Sequence, residues 1–258
     1  ISFILTMFFM PKFIEWAKTK ATQPIYDLAP ETHQQKSKTP TMGGVIFLLS
    51  SFIALLFAIQ VHKYTMIVIV TMILFMFIGF IDDKAKILGQ KNEAGLSVKQ
   101  KFILQWFFAF LIAFIIYLSG FDTKLYIPFY KDPLFDMDIF AIPFWALVIV
   151  AVSNSVNLTD GLDGLATVPS IFALFSLAII IYLMGNVKFA TYLFLPHFEI
   201  GELTIFTTTL IGALVGFLWY NAHPAQIFMG DSGSLTIGAL IGVLAIFAKS
   251  EFLLIFIG

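Results

Sequence analysis

Eight long apolar runs, separated by polar stretches, form the hydropathy pattern of this chain. They cover residues 2–16, 45–61, 64–81, 102–119, 139–153, 168–184, 205–220 and 235–248, and a ninth begins at Glu251. Several fall short of the ~20 residues that cross a bilayer, yet flanking residues can complete a span. Eight such runs in series favour membrane spans over the buried helices of a soluble core. We therefore predict an all-α, polytopic integral membrane helical bundle with about nine spans.

Composition adds to this picture mainly by excluding other classes of protein. Hydrophobic residues make up 59% of the 258 positions and charged residues 12%, against about 45–50% and about 25% in soluble domains. The net charge of −1 gives no indication of nucleic-acid binding. This chain has no Cys, which excludes disulfides and thiolate chemistry within it. All 15 cationic side chains are Lys, so a bidentate guanidinium clamp on phosphate is also excluded.

The polar connections between the runs predict the orientation of the chain. Alternation places one set of connections on the same side: 17–44, 82–101, 154–167 and 221–234. With the flanking Lys12, that side carries ten Lys and the opposite side carries five. Because an excess of Lys marks the cytoplasmic face of a membrane, we predict that this side is cytoplasmic. We expect one transmembrane domain over residues 1–258 that looks cut at both ends, since it begins without Met and stops in an apolar run.

The unusual polar residues all fall on the predicted cytoplasmic side. They are Asp82, Asp83, Asn157, Asp160, Asp163, Asn221, His223 and Asp231. Ionisable residues in or beside a membrane span are costly and are functional candidates by default. If the polar stretch after the fifth run is helical, the three- and four-residue spacing places four positions on one acidic, amide-lined face: Asn154, Asn157, Asp160 or Gly161, and Gly164.

Two adjacent carboxylates, Asp82 and Asp83, close the third apolar run. A solvated helix end with snorkelling Lys explains them about as well as a functional site does. The helix dipole disfavours negative charge at a C-terminus, so a divalent cation, or a proton held by one of the pair, should compensate. Because adjacent helical residues point about 100° apart, we expect the two carboxylates to have different roles.

A third acidic position, Asp231, lies between Gly230 and Gly233 just before the eighth run. A plain helix N-cap by Ser232 or Ser234 is the structural alternative for this segment. An Asp between glycines is better explained as an oxygen ligand for a hard cation that also binds phosphate. Several Asp close together repel unless a divalent cation binds among them. Without Cys, such a site selects Mg²⁺ or Mn²⁺ over zinc, which indicates phosphoryl transfer at the membrane surface.

Three further residues could contact a ligand on the same side. Lys36 and Thr41, just before the second run, offer a cation and a hydroxyl, although a turn with positive-inside lysines explains the segment as well. Phe228 is either one more membrane Phe or a stacking surface for a base.

Taken in order, these segments resemble the bacterial phospho-N-acetylmuramoyl-pentapeptide transferases, a branch of the polyprenyl-phosphate N-acetylhexosamine-1-phosphate transferases. The pair Asp82-Asp83 and the segment 154–166 are shared by that superfamily, whereas the strings 39–44 and 224–235 are more specific to the muramoyl branch. The resemblance runs through nearly the whole chain. It implies a ten-helix family fold, a homodimer, and a place in the bacterial cytoplasmic membrane with the active site facing the cytoplasm.

The resemblance also implies a reaction, in which phospho-MurNAc-pentapeptide moves from UDP-MurNAc-pentapeptide to undecaprenyl phosphate and gives lipid I and UMP. It implies Mg²⁺, with Mn²⁺ as a substitute, on Asp231; a base role for Asp82; and an orienting role beside it for Asp83. Asn157 and Asp160 would line the catalytic cleft. Substrate and nucleotide binding would fall to Lys36, Thr41, Asn154, Gly161, Leu162, Asp163, Asn221 and Phe228. The family's His-rich loop and tenth helix lie beyond residue 258, and His223 does not replace that loop, so we expect the chain as written to lack residues needed for full activity.

Other functions and mechanisms remain open at this point. A sibling enzyme that uses UDP-GlcNAc would carry the same set of Asp residues. A cation transporter also needs intramembrane Asp and Asn, but it predicts acidic residues near the bilayer midplane rather than at the ends of spans. For the reaction itself we favour direct attack of the lipid phosphate on the sugar-proximal phosphorus, with a covalent aspartyl-phosphate on Asp82 or Asp83 as the alternative.

Overall fold

The structure is a computed structural model that describes residues 1–20, 39–58, 60–89, 94–127, 130 and 132–254. Its α-helices in this part of the chain are α1 (Ser2–Lys20), α2 (Gly43–Leu56), α3 (Lys63–Gly89), α4 (Val98–Leu118), α5 (Ala141–Thr159), α6 (Thr167–Gly185), α7 (Val187–Tyr192), α8 (Glu202–Asn221) and α9 (Asp231–Phe247). Short 3-10 helices cover Asp138–Phe140 and Glu251–Leu253. Strands β1 (Lys124–Leu125) and β2 (Phe135–Asp136) pair antiparallel, with Lys124 opposite Asp136.

Each of the eight predicted apolar runs overlaps one helix, and the prediction of a helical membrane bundle is confirmed. Among the described residues, five helices are long and apolar enough to cross a membrane: α3, α4, α5 with its preceding turn, α6 and α8. Helices α2 and α9 are apolar but shorter. The number of spans, about nine, stays a prediction. The run expected from Glu251 onwards starts as a 3-10 turn, and residues 255–258 lie outside the described part.

Helix α9 is the centre of the bundle, and its position explains its composition. Every residue from Ser232 to Phe247 is buried, as expected for a helix that is apolar all round. Helices α2, α3, α5 and α6 pack around it. Gly79 of α3 permits a very close approach, because a Cβ at that position would lie 2.2 Å from the backbone oxygen of Asp231. The backbones of α3 and α9 therefore meet just where both helices carry Asp residues.

Two predictions about helix ends were wrong. Asp82 and Asp83 do not end their helix, because α3 continues to Gly89. They therefore escape the dipole at the C-terminus, and the compensation for their charge comes from Lys86 of the same helix and from neighbouring helices. The polar stretch after the fifth run is not helical throughout, since α5 ends at Thr159 and Gly164 adopts a left-handed backbone with φ +71°. Only Asn154 and Asn157 of the predicted acidic face share a helix.

Candidate active site

Two of the three acidic junctions, Asp82-Asp83 and Asp231, meet at one end of the bundle. One carboxylate oxygen from each of Asp82, Asp83 and Asp231 lies within 4.8 Å of the others. Asp82 and Asp83 come from the last two turns of α3, and Asp231 is the first residue of α9. The close packing of these two helices around Gly79 brings the carboxylates together.

Asp83 holds the beginning of α9 in place. Its Oδ1 accepts a hydrogen bond from the backbone N–H of Asp231 at 3.0 Å, and its Oδ2 accepts one from the N–H of Ser232 at 2.9 Å. The first N–H groups of a helix have no partner within the helix and carry partial positive charge. A buried carboxylate from another helix satisfies two of them here. Asp83 therefore caps the N-terminus of α9 from another helix and fixes the backbone of Asp231.

Asp82 has quite different surroundings, which agrees with the expectation that the two adjacent carboxylates diverge. Its Oδ1 accepts the backbone N–H of Leu96 at 2.7 Å. Its Oδ2 lies 2.7 Å from the ammonium of Lys86 and 3.0 Å from that of Lys101. The Asp82 side chain is fully buried, so these contacts replace the water that a carboxylate otherwise needs.

Both carboxylate oxygens of Asp231 have side-chain partners. Its Oδ2 contacts Lys86 Nζ at 3.0 Å and Lys101 Nζ at 2.5 Å. Its Oδ1 accepts a hydrogen bond from Asn157 Nδ2 at 2.8 Å, and the same amide nitrogen lies 2.8 Å from Ser234 Oγ. Side chains from α3, α4 and α5 thus converge on one carboxylate at the start of α9. The Asp231 side chain keeps 15% of its surface exposed, so it can still be reached from outside the bundle.

Sequence reasoning missed Lys86 and Lys101 as site residues. Both were counted only as cationic residues on the predicted cytoplasmic side. A signal for Lys86 was present, because it follows Asp82 by four residues and α3 brings that spacing onto one face. No comparable signal marked Lys101, which reaches Asp82 and Asp231 from the second half-turn of α4. In place of Arg, these two ammonium groups supply the positive charge beside the carboxylates.

The donor chemistry of the cluster fits a hard divalent cation. Within the described residues, the groups that converge here and could ligate a metal are carboxylates, which suit Mg²⁺ or Mn²⁺. Asp231 is the best-placed ligand, since it is the most exposed of the three, and Asp82 faces it across the two ammonium groups. Asp83 is poorly placed for this role because both of its oxygens already accept backbone N–H groups.

Asp160 lies beside the cluster without belonging to it. Burial raises the pKa of its carboxyl well above the usual range, and the nearby carboxylates of Asp231 and Asp83 raise this pKa further. The backbone N–H of Gly230 acts in the opposite direction, because it favours the charged form. Asn157 at the end of α5 also contacts Asp231, so this segment lies beside the other two acidic junctions. The catalytic roles of Asn157 and Asp160 stay predictions.

The loop after α5 contacts the loop before α9 through Asp163. Asp163 Oδ2 accepts the backbone N–H of Ala225 at 3.2 Å and lies 2.9 Å from His223 Nδ1. Gly161 and Leu162 beside it are exposed. An open cleft of about 450 Å³ adjoins these residues, lined by Leu162, Asp163, Gly164, Leu165, Val168, Pro169, Leu218, Ala222 and His223. The loop thus combines an anchored carboxylate with exposed backbone next to open space.

Asn221, predicted to bind substrate, is a buried link between these loops. Its Oδ1 accepts from the Gly164 N–H at 3.2 Å and from Thr167 Oγ1 at 2.7 Å, and its Nδ2 donates to the Ile227 carbonyl oxygen at 3.0 Å. These contacts hold the loops on either side of the cleft together. Binding of substrate by Asn221 stays a prediction.

The segment before α2 pairs with the segment before α9. The N–H groups of Gly43 and Gly44 donate to the carbonyl oxygens of Phe228 and Met229, and the Phe228 N–H donates to Pro40. This pairing leaves Phe228 half-buried at the site. Thr41 is buried beside Gly230, and among the described residues its hydroxyl has no hydrogen-bond partner. Lys36, also predicted to bind the nucleotide, lies outside the described residues.

Asn154 is the predicted site residue that lies furthest from the expected arrangement. It shares a face of α5 with Asn157 but does not contact Asp231. Its Nδ2 donates instead to Gln105 Oε1 of α4 at 2.6 Å and to the Val150 carbonyl oxygen at 2.8 Å. Gln105, which sequence reasoning did not single out, is therefore the partner of this amide. Substrate binding by Asn154 stays a prediction without a contact that supports it.

Comparison with known proteins agrees with this geometry. The model of glycosyl transferase family 4 matches residues 65–249, and signature 1 of the phospho-N-acetylmuramoyl-pentapeptide-transferases matches residues 36–48. The curated proteins of that name from Nautilia profundicola, Sulfurimonas denitrificans and Campylobacter jejuni (strain RM1221) are 60%, 57% and 54% identical to the chain. Each match covers 100% of this chain and 74% of the relative.

The helical membrane bundle and the family match together define the class of this protein. It is a membrane-embedded phosphosugar transferase of glycosyl transferase family 4. Within that family, the signature and the identity over the whole chain are specific. The chain belongs to the phospho-N-acetylmuramoyl-pentapeptide-transferases.

Proposed function

We propose that this protein transfers phospho-MurNAc-pentapeptide from UDP-MurNAc-pentapeptide to undecaprenyl phosphate, which forms lipid I and releases UMP in peptidoglycan biosynthesis. The observation that carries the proposal is the Asp231 carboxylate, held between two ammonium groups and the Asn157 amide at one end of a membrane bundle. Phosphoryl transfer depends mainly on positioning and on neutralising charge. This arrangement provides both.

The residues around Asp231 divide the work of binding a diphosphate. Asp231 would hold Mg²⁺ or Mn²⁺, because it is the most exposed carboxylate of the cluster. The metal, when bound, supplies Lewis-acid polarisation of the phosphoryl oxygens. The ammonium groups of Lys86 and Lys101 lie between Asp82 and Asp231. From there they could also form ion pairs with the phosphates of the bound substrates. Asp83 acts indirectly, because it fixes the start of α9 and with it Asp231.

Asp82 is the proposed base that takes the proton from the lipid phosphate. The attacking phosphate oxygen then displaces UMP from the sugar-proximal phosphorus in one step. An aspartyl-phosphate on Asp83 is disfavoured, because both of its oxygens accept backbone hydrogen bonds inside the protein. An aspartyl-phosphate on Asp82 is the route to test, and trapping a phosphorylated Asp82 during turnover of the UDP-sugar without lipid would overturn direct displacement.

The nucleotide is proposed to bind where the loops before α2, after α5 and before α9 meet. Gly161, Leu162 and Asp163 would contact the uracil, with the half-buried ring of Phe228 as its stacking surface. The hydroxyl of Thr41 needs a partner and lies beside Gly230, one residue from Asp231. Lys36 is proposed to contact the nucleotide from the segment before α2.

The site is proposed to face the cytoplasm from the bacterial inner membrane, and the protein is proposed to form a homodimer. The orientation rests on the excess of Lys at the end that carries the Asp cluster. A cytosolic UDP-sugar and a lipid phosphate held in the bilayer would then meet at the same surface. Labelling of single Cys substitutions from either side, and the mass of the detergent-solubilised particle, test these two points.

The experiment that tests the reaction is an assay of the full-length protein with two donors, UDP-MurNAc-pentapeptide and UDP-GlcNAc, each with undecaprenyl phosphate and Mg²⁺. We expect release of UMP and a lipid-linked product with the first donor only. Product with UDP-GlcNAc alone would favour the sibling enzyme. No product with either donor, from protein that binds Mn²⁺ normally, would contradict the proposal.

A further inference from the structure

A buried amide pair, Gln105 and Asn154, lies one helical turn deeper in the bundle than the contacts on Asp231. Asn154 Nδ2 donates to Gln105 Oε1 at 2.6 Å. Gln105 is fully buried, and among the described residues its Nε2 has no hydrogen-bond partner. A buried N–H group without a partner is destabilising, so an apolar side chain would serve stability better at this position. The presence of the amide therefore calls for a role other than stability.

Gln105 and Asn154 each lie one helical turn from a residue that contacts the Asp231 carboxylate. Gln105 follows Lys101 by four residues on α4, and Asn154 precedes Asn157 by three on α5, so each pair shares a helical face. Lys101 contacts Oδ2 of Asp231 and Asn157 donates to its Oδ1. The two helices therefore hold Asp231 from opposite sides, and the amide pair joins the same two faces just below the carboxylate.

We propose that Gln105 and Asn154 are positioning residues that fix the offset of α4 against α5 along their axes. This offset determines where the side chains of Lys101 and Asn157 contact Asp231. The inference rests on the proposed function, and it gives Asn154 a role different from substrate binding. A slip by one residue moves a helix by about 1.5 Å. That distance exceeds the range over which a hydrogen bond keeps its strength, since good N–H···O bonds span about 2.7–3.2 Å.

The test replaces each amide by an apolar side chain of similar length, Gln105→Met and Asn154→Leu, in the full-length protein. We expect kcat to fall roughly ten- to hundredfold, since a misplacement of about 1 Å costs that much in an active site. The KM for the UDP-sugar should stay within about twofold, because neither residue contacts the proposed nucleotide site. Binding of Mn²⁺ without substrate, measured by electron paramagnetic resonance, should weaken because Asp231 is less firmly held.

The matched control is Ser51→Ala, which removes another hydrogen bond between helices, the 3.4 Å contact from Ser51 to Thr209. It lies between α2 and α8, away from Asp231, and should leave kcat and Mn²⁺ binding unchanged. Rescue provides the second arm. Gln105→Asn shortens the pair by one methylene and should lower kcat, whereas Gln105→Asn combined with Asn154→Gln restores the length and should recover most of it.

The inference is overturned if Gln105→Met and Asn154→Leu behave like Ser51→Ala, or if the double exchange is no more active than Gln105→Asn. Should Gln105→Met fail to fold, the exchange series decides by the same criterion. An inactive wild-type protein would contradict the proposed function instead, and Mn²⁺ binding by the same variants would still decide the role of the pair.

Discussion

Replacement of Asp83 by Asn separates a capping role from a metal-binding role. The wild-type carboxylate accepts two backbone hydrogen bonds from the start of α9, at 3.0 and 2.9 Å. The Asn side chain keeps one acceptor and turns an NH₂ group towards the other N–H. Loss of one hydrogen bond to a charged group costs about 1.5–3 kcal/mol, and loss of the charge at the helix N-terminus costs about 0.3–1 kcal/mol more.

Part of this cost is offset, because a buried charge no longer has to be desolvated. We therefore expect the free energy of unfolding to fall by about 1–3 kcal/mol. At this chain length, a loss of that size lowers Tm by roughly 2–12 °C. The first turn of α9 should loosen as well, so kcat should fall together with Tm.

The assay is thermal unfolding of the detergent-solubilised full-length protein, with turnover and Mn²⁺ affinity measured on the same samples. Asp138→Asn is the matched control, since that carboxylate contacts Tyr117 at 2.9 Å in an exposed position outside the Asp cluster. The control should change the free energy of unfolding by no more than about 0.5 kcal/mol. An unchanged Tm for Asp83→Asn, together with a large loss of Mn²⁺ affinity, would refute the capping role and make Asp83 a metal ligand.

Three further predictions concern the neighbourhood of Asp231. Asp231→Asn should lower kcat roughly 100-fold or more and weaken Mn²⁺ binding in the absence of substrate; normal Mn²⁺ binding would remove Asp231 from the metal site. Gly230→Ala should lower Tm, because φ is +74° and the new Cβ would lie 2.8 Å from Asp83 Oδ2 and from Thr41 Oγ1; a wild-type Tm would contradict the packing described there. Asp160→Asn should raise the Tm of the metal-free protein at pH 8. The pKa of Asp160 is raised in the folded state, so its penalty is absent below the unfolded value of about 3.9, grows as pH rises from that value towards the folded value, and is constant above it. The gain should therefore vanish near pH 4, and a gain that persists there would show another cause.

The helices of this protein could be predicted from the sequence because their signal is local. A run such as 64–81 is apolar throughout, and a membrane requires its backbone to satisfy its own hydrogen bonds, which a helix does. The concentration of Asp82, Asp160 and Asp231 at one end also followed from local information, since alternating spans return every second connection to the same side. The ends of helices were harder to predict, as the continuation of α3 past Asp83 shows.

What only the tertiary structure decided is which partner each polar side chain meets. The sequence by itself determined a membrane bundle, a family, and the set of acidic residues at one surface. It did not determine that Asp83 caps α9, that Lys86 and Lys101 lie between Asp82 and Asp231, or that Asn154 turns to Gln105. Apart from the contact of Lys86 with Asp82 inside α3, those partners come from helices that are distant along the chain. The packing of α3 and α5 on α9, and of α4 on α3 and α5, selects them. Hydropathy carries no information about that packing, and motif spacing indicated only the pair of Lys86 and Asp82 within one helix.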